Sequence, residues 1–228
     1  MKKFTAEALG TFCLMFFGCS SIIFMFNDIG PLGVSFAFGF TLLGVIYALG
    51  PISGAHLNPA VSLAVCINGK MTINEMLKYW IAQVVGGLIA GCILYLLVDF
   101  IKHDINVNVG SSFGIAQASP NPKIFGNIPA LTFEIIGTFL LVMVILGVTQ
   151  SERSSAFAGL VIGSTLVVLH LAGISLSGSA VNPVRAISTN IFVPESYGYF
   201  WIYFIGPMLG GALAGFLHNL GVTKVDDE

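Results

Sequence analysis

The sequence predicts an all-α membrane protein with six membrane-spanning helices and two re-entrant half-helices, built as an inverted repeat. Three observations predict it. The 228 residues are 56% hydrophobic and only 9% charged, with mean hydropathy +0.92, whereas a soluble domain carries roughly 25% charged residues. Apolar runs poor in charge recur at about 4–26, 32–51, 79–100, 129–149, 156–175 and 199–220, each near the roughly 20 residues that a span needs. One short motif occurs twice, at the same register of two otherwise different halves.

The first run follows Lys2 and Lys3 and could pass for a secretory leader. It is retained here because its Glu7-x-x-Gly10-Thr11-Phe12 recurs as Glu134-x-x-Gly137-Thr138-Phe139. The second run leads into Ser53-Gly54-Ala55-His56-Leu57-Asn58-Pro59-Ala60-Val61, and the fifth into Ser177-Gly178-Ser179-Ala180-Val181-Asn182-Pro183-Val184-Arg185. Asn is a strong N-cap and Pro at the first helical position has no donor to lose. Each copy therefore starts a helix, at about 58–67 and 182–192, too short to span. Asn121-Pro122 lies in a polar stretch and reads as a turn. Gly86-Gly87-Leu88-Ile89-Ala90-Gly91 reappears as Gly210-Gly211-Ala212-Leu213-Ala214-Gly215, in the same register as the Asn pair.

Each half has three spans, so the halves lie in opposite orientation. That design places a site near the midplane, where broken helices meet. One domain is expected over 1–228, with halves at about 1–110 and 125–222. Lys2, Lys3, Lys70, Lys78, Arg153 and Lys224 fall on the side of the termini, and Lys102 and Lys123 on the other. Basic residues collect inside, so both termini are expected in the cytoplasm. The tail from Lys224 reads as polar and mobile.

The net charge of −2 gives nucleic acid no footing. Cys13, Cys19, Cys66 and Cys92 all lie in apolar runs and read as small buried hydrophobes, and no metal-ligand spacing appears. Ionisable residues at membrane depth are functional candidates: Glu7, Glu134, His56, His170 and Arg185. They assemble no nucleophile–base set, catalytic carboxylate pair or phosphate loop, so no enzyme is expected. Glu7 and Glu134 are symmetry mates. They read as acceptors for backbone N–H groups of the irregular loops, which must be satisfied at that depth, rather than as a proton relay. Asn58 and Asn182 can cap their helices through the side-chain oxygen and turn their NH₂ groups into a lumen.

Paired Asn-Pro-Ala motifs in a duplicated six-span chain resemble the aquaporin, or major intrinsic protein, family. Residues 53–62 match the first family motif in full. The second departs from it, with Val184 where Ala is usual. Val adds two methyl groups, and over-packing costs about 1–3 kcal/mol unless neighbours make room. They are expected to do so and to leave the Asn donors in place.

The resemblance implies a passive channel without cofactor, an integral protein of the plasma (inner) membrane, with water as permeant and four subunits each carrying a pore. By the same likeness Phe38, His170, Ser179 and Arg185 line the outer constriction, Asn58, Pro59, Ala60, Asn182, Pro183 and Val184 form the central motif region, and His56 helps to fix loop carbonyls. His103 and His218 read as peripheral. A His–Phe–Arg ring goes with water-selective members. Glycerol-conducting members tend to have an Asp directly after the Arg, where this chain has Ala186. A facilitator of glycerol or another small neutral solute, a proton-coupled transporter and a non-conducting junctional protein remain alternatives.

Overall fold

A computed structural model describes residues 1–105, 126–151 and 155–225, without the side chains of 102–105. Lys123, Arg153, Asn121-Pro122, the side chains of Lys102 and His103, and most of the external loop lie outside these residues, and with them part of the charge asymmetry.

The first helix, α1 (Lys2–Ser53), has 52 residues. Straight, it would be about 78 Å long at about 1.5 Å per residue, more than twice a bilayer core. It is two spans joined at a kink, where Gly30 takes φ 58° and ψ −169°. The arms run antiparallel. A Cβ added to Gly10 would touch Val45 and Leu49, and one added to Gly18 would strike the Phe38 ring. Then come α2 (Pro59–Ile67), α3 (Ile73–Ile105), α4 (Asn127–Val148), α5 (Ala158–Ser177), α6 (Pro183–Asn190), a 3₁₀ turn (Pro194–Tyr199) and α7 (Phe200–Asn219). Counting both arms of α1, six long apolar segments and the two short helices expected are present.

The distribution of polarity is that of a chain solvated by lipid. Phe17, Phe40, Ile81, Ile136, Phe204 and Leu213 are exposed, while Glu7, Gln83, Glu134, Asn182 and Arg185 are buried. A helix apolar all round suits hydrocarbon. The long helices meet closely at small residues, as packing in lipid requires. A methyl on Gly86 of α3 would collide with the carbonyl oxygen of Ala8 on α1, and one on Gly210 of α7 with that of Ile135 on α4.

Three expectations are corrected here. The tail is pinned up to Val225: the Gln150 amide donates to the carbonyl of Thr223 (2.8 Å) and accepts from the N–H of Val225 (2.8 Å). His218 is buried, with Nδ1 2.8 Å from the Thr223 hydroxyl. Among the cysteines, all free, Cys19 is buried but Cys92 is exposed on α3. In lipid an apolar residue need not be interior.

Candidate functional site

The site is built where α2 and α6 begin. Asn58 caps α2 in extended conformation, its Oδ1 accepting from the N–H of Ala60 at 2.9 Å, and Asn182 caps α6 in the same way from Val184 at 3.0 Å. Only part of each NH₂ group is left for a lumen. Asn58 Nδ2 donates to the carbonyl of Val181 (2.8 Å), and Asn182 Nδ2 to that of Leu57 (2.9 Å). Each Asn therefore ties its half-helix to the loop of the other half and keeps one amide hydrogen.

The loops that lead into the half-helices are strained. Ala55, Leu57, Ser179 and Val181 have φ of 47°, 52°, 46° and 42°, each costing about 1–3 kcal/mol. Buried carboxylates hold them there. Glu7 accepts from the N–H groups of His56 (2.9 Å) and Leu57 (2.8 Å), from the Ser53 hydroxyl (2.7 Å) and from Gln83 (2.8 Å). Glu134 accepts from Ala180 (2.9 Å), Val181 (2.6 Å) and the Ser177 hydroxyl (2.7 Å). The loops are fixed from outside by Tyr79 and Tyr203, whose hydroxyls donate to the carbonyls of Ser53 (2.8 Å) and Ser177 (2.6 Å). With the N–H groups drawn to the carboxylates, no donor among the described residues reaches the carbonyls of Gly54, Ala55 or His56.

A partly open cavity runs past these loops. Its polar wall includes Gly54, His56, Asn58, Asn182, Arg185 and His170, and its apolar wall is formed by α1, α4 and α5 side chains such as Leu14, Leu42, Leu141 and Ile162. At one end the Phe38 and His170 rings stack with centroids 4.6 Å apart. Nδ1 of His170 lies 3.0 Å from the Leu166 carbonyl and so carries the hydrogen, while its buried Nε2 has no partner. Arg185 is buried without a partner at Nε or Nη1. This part of the wall thus offers an apolar ring face, an acceptor and a cationic donor.

Phe38, His170, Arg185 and both Asn residues come together on this cavity. Ser179 does not line it. Its buried hydroxyl is turned to the Leu169 carbonyl at 3.0 Å. Pro59, Ala60, Pro183 and Val184 lie behind the lining. The His56 ring is 3.1 Å from the Ser62 hydroxyl and packs near Tyr79, and its backbone N–H is what reaches Glu7. Val184 is fully buried against Gly87, a position that is also Gly in the other half, so the room comes from helix placement and not from a smaller neighbour. Tyr79, Tyr203 and Gln83 escaped the sequence reading, as did the roles of Ser53 and Ser177, which open the two motif copies. The offset that aligns Asn58 with Asn182 also aligns Ser53 with Ser177 and Tyr79 with Tyr203, so a signal for four of them exists.

Two half-helices meeting at their N-termini beside a continuous cavity, in a shell of apolar helices, define an integral membrane channel of the inverted-repeat type. The profile of the major intrinsic protein family matches residues 1–218, and this chain belongs to that family, which makes it a channel rather than an enzyme. It is 37% identical to "Aquaporin Z" of Photorhabdus laumondii subsp. laumondii, over 96% of this chain and 97% of the relative. It is 35% identical to "Aquaporin Z" of Bradyrhizobium diazoefficiens, over 96% and 92%. The X-ray structure of the aquaglyceroporin from Plasmodium falciparum superposes with TM-score 0.82 at 22% identity, over 97% of this chain and 96% of that one. At that identity the likeness concerns the fold.

Proposed function

We propose that this protein is a passive transmembrane water channel that excludes protons and ions. The observation that carries the reading is the stacked Phe38–His170 pair on the same cavity as Arg185 and the two capping Asn residues. A water molecule beside this pair can donate to His170 Nε2 and accept from Arg185. Further in, the remaining amide hydrogens of Asn58 and Asn182 bind its oxygen, and the loop carbonyls accept its hydrogens. Both half-helices point their positive ends at this point. Exclusion of cations by an Arg and by half-helix dipoles is the accepted account of such pores. Glu7 and Glu134 serve the loops as acceptors and not as a proton relay, since their oxygens are taken by loop and side-chain donors. The relatives' name, Aquaporin Z, favours water over glycerol.

The channel is a single domain with halves at about 1–110 and 125–222. It works as a homotetramer with a pore in each subunit, in the plasma (inner) membrane, both termini cytoplasmic. The test is stopped-flow light scattering on proteoliposomes. A sucrose gradient should give fast shrinkage, and a glycerol gradient slow reswelling. Rapid glycerol entry would favour a solute facilitator, and flux that follows a proton gradient a transporter.

A further inference from the structure

The two halves differ most tellingly at the contacts behind the half-helices. Positions 60 and 184 correspond, as do 87 and 211. Ala60 on α2 faces Gly211 of α7, and Val184 on α6 faces Gly87 of α3. A Cβ on Gly211 would lie 2.6 Å from the Ala60 carbonyl oxygen and 3.1 Å from its Cβ. A Cβ on Gly87 would lie 3.7 Å from the Val184 carbonyl oxygen, and the atom it would strike is Cγ1 of Val184. One turn later the order reverses. A Cβ on Gly215 would sit 2.9 Å from the Ala64 carbonyl oxygen, whereas one on Gly91 would overlap that of Ser188 more closely. So α6 stands off from α3 at its first turn and closes onto it at its second, with the Val184 isopropyl group as the fulcrum.

That tilt leans the first turn of α6 toward the cavity. Asn182 stays tied to Leu57 at 2.9 Å, so the displacement falls on the residues that follow it. Arg185 is the one of these that lines the cavity, and no hydrogen bond at Nε or Nη1 draws its side chain back.

We propose that Val184 is a positioning residue for selectivity: it holds α6 off α3 and so sets the free width between Arg185 and the Phe38–His170 pair. This rests on the water-channel reading. With Ala at 184 the first turn can settle onto Gly87, as α2 does onto Gly211. The distances of 3.7 against 2.6 Å give the room into which the first turn can retreat from the rings.

The test is glycerol and water permeability measured on the same proteoliposomes at equal protein density. Val184→Ala should raise glycerol permeability by roughly tenfold, the scale on which a methylene-sized change alters discrimination in a pocket, with water flux retained. Val184→Ala with Gly87→Ala returns bulk to the same contact from the other side and should bring glycerol back toward the wild-type value. The inference is overturned if Val184→Ala conducts water and rejects glycerol as wild type does. It is equally overturned if the double variant leaks as much as the single one, which would mean general loosening. Should Val184→Ala not reconstitute, Val184→Cys, intermediate in bulk, should give an intermediate rise, and no rise sinks the idea. A wild type that passes no water at all defeats the underlying reading instead.

Discussion

Glu134 holds three donors at a depth where water cannot replace it. In Glu134→Gln one oxygen becomes an NH₂ group that faces an N–H or O–H donor. A buried donor left without an acceptor costs about 1–3 kcal/mol. The thermal unfolding midpoint in detergent should fall by roughly 2–4 °C for each of these. An unchanged midpoint together with altered proton flux would make Glu134 a relay station and not a loop support. At Arg185 the argument is electrostatic. Its charge lines the cavity, and among the described residues no salt bridge reaches it. Arg185→Val should keep water flux and admit a proton or cation leak, read with an entrapped pH dye and by planar-bilayer current. An electrically silent variant with normal water flux would remove Arg185 from the exclusion mechanism.

Among the elements, α3 and α7 are held at backbone distance from their neighbours. A methyl on Gly86 would press on the Ala8 carbonyl of α1, and nothing flexible is there to yield. Gly86→Ala should cost at least the 1–3 kcal/mol typical of over-packing, seen as lost monodisperse protein on size exclusion. Gly44→Ala is the matched control, because a Cβ there meets nothing within 4 Å. Equal yields for the two would mean that α1 and α3 can part without loss. The half-helices show the same dependence on neighbours. Eight or nine residues are too few for an isolated helix in water, so α2 and α6 persist through their Asn caps and the elements around them.

For the molecule as a whole, the proposed water channel owes its selectivity to the residues that α1, α5 and α6 bring together on the cavity, Phe38, His170 and Arg185. Water and glycerol are both neutral, so charge cannot separate them; width and hydrogen bonding must. Phe38→Ala with His170→Gly removes two of the three walls and should turn glycerol reswelling from slow to fast, while water flux persists through the untouched Asn region. If the folded double variant conducts water and still rejects glycerol, the size filter lies away from this ring, and the positioning role of Val184, which acts through it, falls with it.

Local pattern carried much of this. Span length and hydropathy depend on stretches of about 20 residues, and an Asn-Pro cap on its own few neighbours, so six spans, two half-helices and the duplication are legible without coordinates. The pairing of Glu7 and Glu134 with their loops was legible too, because symmetry and the need to satisfy backbone at membrane depth leave few acceptors. What joins distant elements was not. That each Asn gives a hydrogen to the opposite loop follows from how closely the two N-termini approach. Ser179 faces Leu169 instead of the cavity because a positive φ turns its loop, and His218 is buried because the tail folds back onto Gln150. The tilt of α6 is decided by one isopropyl group against a glycine in another helix, a contact set by helix crossing and by no property of either residue alone.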